Sequence, residues 1–200
     1  MSDSPVADKP GLRERKKART KAAIQEAALR LFGAQGYENT TVEQIAEAAD
    51  VSPSTFFRYF GSKEDVVIYD ALDPMFIESF RAQPPELGPI AALRGAMRDV
   101  FAGLNQEQLA EMSERGRLVY MVPELRERMA DDMIRTAALF NNEIAARVGR
   151  SADDIEVRVF TGALMGALMA ALLPALLDPN PDYLGGLEPV FEFLEKGMKL

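Results

Sequence analysis

The stretch from Thr40 to Lys63 leaves this chain little freedom. Thr40 and Glu43 form a capping-box pattern, after which Val42, Ile45, Ala46 and Ala49 fall on one helical face. Only Asp50 and Val51 separate that face from Ser52-Pro53. There an N-cap precedes a proline at the first helical position, where a missing N–H costs nothing. The next helix is short and ends near Phe60-Gly61, and Ser62, with Asp65 three residues on, caps another. A preceding helix is expected from about Leu12 to Gln35, with Ile24, Ala27, Ala28, Leu31 and Phe32 at helical spacing and Gly36 as its stop. Three helices with a tight turn between the second and third have the geometry of a helix-turn-helix.

The remaining chain is also read as helical, so the fold class is all-α, with no segment patterned as a strand. Asp73-Pro74 is expected to kink or break a fourth helix running from Ser62 to about Arg81. Gln83-Pro84-Pro85 reads as a linker. Ile90, Leu93, Met97, Phe101 and Leu104 mark one further helix, and Leu109, Met112, Gly116 and Val119 another. A long helix starts at Pro123 and stops at Gly149. An apolar one covers Asp153 to Leu177, Asp178-Pro179-Asn180-Pro181 is a rigid turn, and a last helix covers about Leu187 to Met198. The expected organisation is a disordered arm over 1–10, a helix-turn-helix domain over 11–62 and a second domain over 63–200.

Charge is distributed unevenly. The whole chain carries −8, yet residues 9–30 carry a net +6 and residues 73–200 a net −7. A local basic footprint, not the total, governs association with nucleic acid. The chain has no cysteine and no histidine. Disulfides and thiolate metal sites are therefore excluded, the commonest acid–base residue is missing, and the composition suits a reducing cytoplasm. No phosphate-loop, dinucleotide, nucleophile-elbow or zinc-protease signature is present. Acidic clusters at Asp131-Asp132 and Asp153-Asp154 are explained by pairing with Arg135 four residues after Asp131, and by the preference for negative charge at a helix start. Neither an enzyme nor a cofactor is expected. The N-terminus is polar and charged, unlike a signal peptide. Val159 to Leu177 is uncharged and near spanning length, but it is rich in alanine and glycine, and a buried helix in a soluble dimer accounts for it better than a membrane span.

Over residues 12–66 the sequence resembles the TetR family of bacterial regulators. The resemblance is carried by Leu31-Phe32, Gly36-Tyr37 and the run Thr40–Lys63. The turn position commonly glycine in that family is Asp50 here, and the third-helix position commonly tyrosine is Phe57. The third helix is expected to enter a major groove of double-stranded DNA. Val51, Phe56 and Phe60 fit its buried face, leaving Ser52, Pro53, Ser54, Thr55, Phe57 and Arg58 for the groove. Arg58 suits guanine or phosphate and Phe57 a thymine methyl. Tyr59, Thr41 and Lys63 are assigned to phosphate. The basic stretch Arg13 to Lys21, with Arg13, Lys16, Lys17 and Arg19, is expected along the backbone or in the minor groove.

The resemblance implies that the last two long helices of two subunits form a four-helix bundle, making a homodimer. Gly162, Gly166, Ala163, Ala167, Ala170, Ala171 and Ala175 supply the small-residue ridge such a seam requires. It also implies an effector cavity in the second domain. Its expected lining is Phe76, Phe80, Met97, Phe101, Met112, Tyr120, Met133, Phe140 and Met165, methionine being an adaptable liner. Arg94, Arg115, Tyr120 and Asn141 are candidate polar anchors. The expected ligand is a small apolar molecule, a fatty-acyl compound among the options. The alternative is control by a protein partner without a small-molecule effector.

Overall fold

The computed structural model describes residues 11–69, 72–175, 178 and 181–199, with the side chain of residue 174 excepted. The expected 1–10 arm, Pro179 and Asn180 of the rigid turn, and the end of the apolar helix at Leu177 lie outside them. Among the described residues the structure is helical throughout, with no strand. The chain divides into two compact units after Val67. That division falls five residues beyond the expected boundary at residue 62, because Val66 and Val67 are fully buried and the Gln25 amide donates to the Val66 carbonyl at 2.9 Å.

The first unit holds α1 (Leu12–Gln35), α2 (Val42–Ala48), α3 (Pro53–Tyr59) and most of α4 (Lys63–Ile68). α1 ends at Gly36, whose φ of 86° suits a residue without Cβ. α2 is capped by Thr41, not Thr40. The Thr41 hydroxyl accepts from the Gln44 N–H, while the Gln44 side chain accepts from the Thr41 N–H. Thr40 is buried and donates its hydroxyl to the Gly36 carbonyl instead. Asp50 makes the turn at φ 53°, and the Ser52 hydroxyl caps α3 by accepting from the Thr55 N–H. Ile24, Ala28, Phe32, Ile45, Ala46, Phe56 and Phe60 close the core.

The second unit is built from α5 (Asp73–Ala82), α6 (Pro89–Gly103), α7 (Gln106–Met121), α8 (Pro123–Val148), α9 (Ile155–Ala175) and α10 (Tyr183–Glu195). Of the kink or break expected at Asp73-Pro74, the structure shows the break: α4 and α5 are separate helices. Pro74 stands in the first turn of α5, where a fixed φ and a missing N–H start a helix rather than bend one. α10 begins four residues earlier than expected. The Asp182 carboxylate accepts from the Gly185 N–H, and a Cβ on Gly185 would collide with that carboxylate. α6 packs against α5 and α10, and α9 against α8 and α10. Their shared core includes Leu93, Phe101, Phe140, Leu164, Leu187 and Phe191.

Candidate DNA interface and ligand cavity

In the first unit α3 turns Phe56 inward and leaves Ser52, Pro53, Ser54, Phe57 and Arg58 exposed, with Thr55 and Tyr59 half-buried. Phe57 is 54% exposed, unusual for a phenylalanine that has an apolar core within reach. Its ring meets Phe56 edge-on at 5.4 Å, which fixes its direction. Arg58 lies over the Tyr59 ring at 5.2 Å and donates weakly to the Thr55 hydroxyl. Thr41 is exposed.

One placement differs from expectation. The Lys63 ammonium does not face outward: it donates to the Tyr37 carbonyl at 3.1 Å and lies 4.1 Å over the Tyr37 ring. It satisfies carbonyls of the α1–α2 loop instead of awaiting phosphate. Arg13, Lys16, Lys17 and Arg19 are all exposed and occupy the first turns of α1, as the expected helix from Leu12 places them. A helix with side chains is about 10–12 Å across and a minor groove about 6 Å wide, so the body of α1 stays outside the groove and only its side chains reach the backbone or the groove. Lys21 lies 5.2 Å from the Phe60 ring; burial and the neighbouring Lys17 push its pKa down.

The second unit contains a cavity of about 540 Å³, within the usual range for small-molecule sites. Phe76, Met97, Phe101, Met112, Tyr120, Met133, Phe140 and Met165 line it, as expected from the sequence. Phe80 does not. It is 2% exposed and packed in the core, with the Arg147 guanidinium 4.7 Å from its ring. Of the polar candidates, Arg115 and Tyr120 line the cavity. Arg94 pairs with Glu188 and Glu195, and the Asn141 amide donates to the Ala152 carbonyl while accepting from the Thr161 hydroxyl. Arg135 pairs with Asp132, one turn before it, and not with Asp131.

Several lining residues escaped the sequence reading: Asp73, Arg126, Asp132, Leu164, Leu168 and Tyr183. For Tyr183 the signal was available in Asp182 followed three residues on by Gly185, a cap pattern read as loop. The small-residue ridge of α9 splits in two. Gly162, Gly166 and Ala170 are exposed, and a Cβ on either glycine would meet nothing within 4 Å. Ala163, Ala167, Ala171 and Ala175 are half-buried, the last three against the core, because adjacent helix positions lie about 100° apart. Ile155, Val159, Met169 and Leu173 extend the exposed face, and α9 is long and apolar enough to cross a membrane by length and composition alone.

A helix-turn-helix with an exposed third helix beside a basic helix, joined to a helical unit with an apolar cavity, defines a DNA-binding transcriptional regulator. Residues 24–69 match the family described as bacterial regulatory proteins, tetR family, and residues 87–199 match the MftR C-terminal domain. The chain belongs to the TetR family; its relatives are regulators, and it is one, not an enzyme. It is 40% identical to the regulator TcmR of Streptomyces glaucescens over 154 residues, 72% of this chain and 67% of TcmR. It is 36% identical to RutR of Escherichia coli K12 over 91 residues, 44% of this chain and 42% of RutR. Among solved structures, Thermus thermophilus FadR in complex with lauroyl-CoA superimposes with a TM-score of 0.57 at 25% identity, over 90% of this chain and 95% of that one. The SmeT–triclosan complex gives 0.62 at 18% identity, over 90% and 91%.

Proposed function

We propose that this chain is a cytoplasmic, homodimeric repressor that leaves a near-palindromic operator when a small apolar molecule fills the cavity of its second unit. The observation that carries this reading is the apolar cavity lined by Met97, Met112, Met133 and Met165, in a chain whose other unit exposes Phe57 and Arg58 on a short reading helix. Ser52, Pro53, Ser54, Thr55, Phe57 and Arg58 read bases. Thr41, Tyr59, Arg13, Lys16, Lys17 and Arg19 hold phosphates. The exposed face of α9, with Ile134 of α8 at 72% exposure, is the dimer seam. Burying that face against a second copy also accounts for an apolar helix of spanning length without a bilayer.

Two-fold symmetry then sets the recognition helices about 34 Å apart, or somewhat more. The ligand acts by preferring a state in which that spacing is wrong. Ile68 lines the cavity and stands two residues from Val66, whose carbonyl is fixed by Gln25 of α1, so α4 is the lever. FadR of Thermus thermophilus holds lauroyl-CoA, which makes an acyl compound a natural first trial.

The test is selection of bound DNA from a random pool, followed by release with a panel of apolar compounds that includes lauroyl-CoA. Enrichment of an inverted repeat is expected, with operator affinity reduced about 5- to 150-fold by an active compound. Enrichment of no sequence overturns the operator reading. Failure of every apolar compound to release the DNA overturns the effector reading.

A further inference from the structure

Arg115 stands, half-buried, in an apolar wall. α7 turns Met112, Arg115, Gly116 and Val119 to the cavity, at positions i, i+3, i+4 and i+7 of one helical face. A guanidinium in such surroundings requires acceptors, because an unanswered charge away from water is costly. One acceptor is backbone: the Arg115 Nη1 donates to the Tyr69 carbonyl at 2.8 Å, across 46 residues of sequence. Tyr69 is the first residue beyond α4, and Ile68 before it and Leu72 after it line the cavity as well. The hydrogen bond is therefore a strut between two parts of the cavity wall, α7 and the segment that ends α4. Arg126 also lines the cavity, but its guanidinium donates to the Tyr120 carbonyl, within the α7–α8 corner, and so joins no distant segments.

The strut falls where the chain passes from one unit to the other. The Gln25 amide holds the Val66 carbonyl within the first unit, and Arg115 holds the carbonyl three residues on within the second. We propose that Arg115 is a positioning residue that couples the cavity to α4: while the strut is made the end of α4 is held in its DNA-competent place, and a ligand that parts the two walls breaks the strut and releases it. This rests on the reading of the cavity as the effector site, and it names the group through which occupancy is felt. Linkage gives the device a signature. A ligand that must break the strut binds better when the strut is already missing, whereas DNA binds worse. An arginine with a merely structural role would weaken both kinds of binding or neither.

The probe is phenylnaphthylamine, an uncharged fluorophore that brightens in apolar surroundings, titrated into the full-length protein. Its lack of charge keeps loss of the guanidinium charge from altering its affinity directly. Met112→Trp, which fills the cavity, is expected to abolish its binding. Arg115→Met is expected to tighten its binding about three- to tenfold, the net worth of one hydrogen bond, and to weaken the operator enriched from the random pool by a similar factor. Amide hydrogen exchange over residues 66–69 is expected to quicken in this variant, and in the wild type once the probe is bound. Arg115→Lys, which keeps the charge but not the fork, is expected to fall between wild type and Arg115→Met, and it carries the same test should the methionine variant not fold. Arg117→Met removes an equal charge from α7 at an exposed arginine paired with Glu114, and is expected to behave as wild type. Weaker or unchanged probe binding in Arg115→Met, unaltered exchange over residues 66–69, or an equal loss of operator affinity in Arg117→Met overturns the role of Arg115 and leaves the cavity reading intact. No probe binding by the wild type, or undiminished binding by Met112→Trp, overturns the cavity reading and this inference with it.

Discussion

Asp50 holds its backbone at φ 53°, a region that most L-residues enter only at a cost. Asp50→Val is expected to lower stability by about 1–2 kcal/mol in urea unfolding followed by helical circular dichroism. Asp50→Gly should stay within about 1 kcal/mol of wild type, since relief of the left-handed strain is offset by a freer unfolded chain. Equal stability of the valine variant would remove the turn as a constraint. Glu64 supplies a pH-dependent prediction. Burial pushes its carboxyl up, but the Tyr37 hydroxyl at 2.6 Å, its own backbone N–H, Ser62 and Lys63 outweigh burial and hold it below the ordinary glutamate value. A depressed folded-state pKa stabilises the fold above the unfolded value, about 4.3, and that contribution disappears as pH falls through the folded value. Tyr37→Phe should therefore lower the melting temperature at pH 7, and the two proteins should converge towards pH 3. Parallel curves would show that the contact is not linked to protonation. Asp50 was legible because turn chemistry is local. Lys63 was not, because its ammonium answers carbonyls 23 and 26 residues away.

Among the elements, those bounded by strong caps were legible. Ser52-Pro53 opens α3, Pro123 opens α8, and Gly149 closes α8 in a left-handed conformation at φ 65°. α10 begins at Tyr183 rather than near Leu187 because the Asp182 carboxylate caps it by accepting from the Gly185 N–H. Element junctions depend on contacts that no local pattern encodes. Arg147, in the last turn of α8, fits a helix C-terminus, yet its larger role lies elsewhere. Its guanidinium donates to the carbonyls of Phe80 and Gln83 at the end of α5, and to those of Pro84 and Leu87 ahead of α6, at 2.7–3.2 Å. One planar fork thus answers four carbonyls across the α5–α6 connection. Arg147→Met should destabilise the protein by about 2–3 kcal/mol, and Arg147→Lys should recover less than half of that, because a point charge cannot reproduce the fork. Full recovery by lysine in chemical denaturation would show that charge, not geometry, is what the junction needs. The cavity was largely legible from the methionine and phenylalanine stripes. Phe80 was misassigned because periodicity gives a buried face but does not distinguish a packed core from a lined void.

At the scale of the molecule, a chain of −8 must approach a polyanion, and the first turns of α1 make that feasible. Their five exposed cations, Arg13, Arg15, Lys16, Lys17 and Arg19, stand on a helix, so their geometry relative to α3 is fixed within the first unit. Phosphate contacts release counterions, and affinity then falls with salt by a logarithmic slope of about 0.9 per neutralised phosphate. Apolar base contacts release none. The two kinds of residue therefore separate in one experiment. Lys16→Ala with Lys17→Ala should weaken operator and random DNA alike and reduce the slope by about one for each phosphate left without its lysine. Phe57→Ala should weaken the selected operator more than random DNA and leave the slope unchanged, as the proposed apolar contact with a base edge requires. Fluorescence anisotropy across a salt series measures both. A changed slope for Phe57→Ala would mean that the exposed ring positions a phosphate-binding group indirectly, through Arg58 or Tyr59. An unchanged slope for the lysine pair would mean that the basic face of α1 points away from the duplex, and that the −8 chain is held to DNA by α2 and α3 alone.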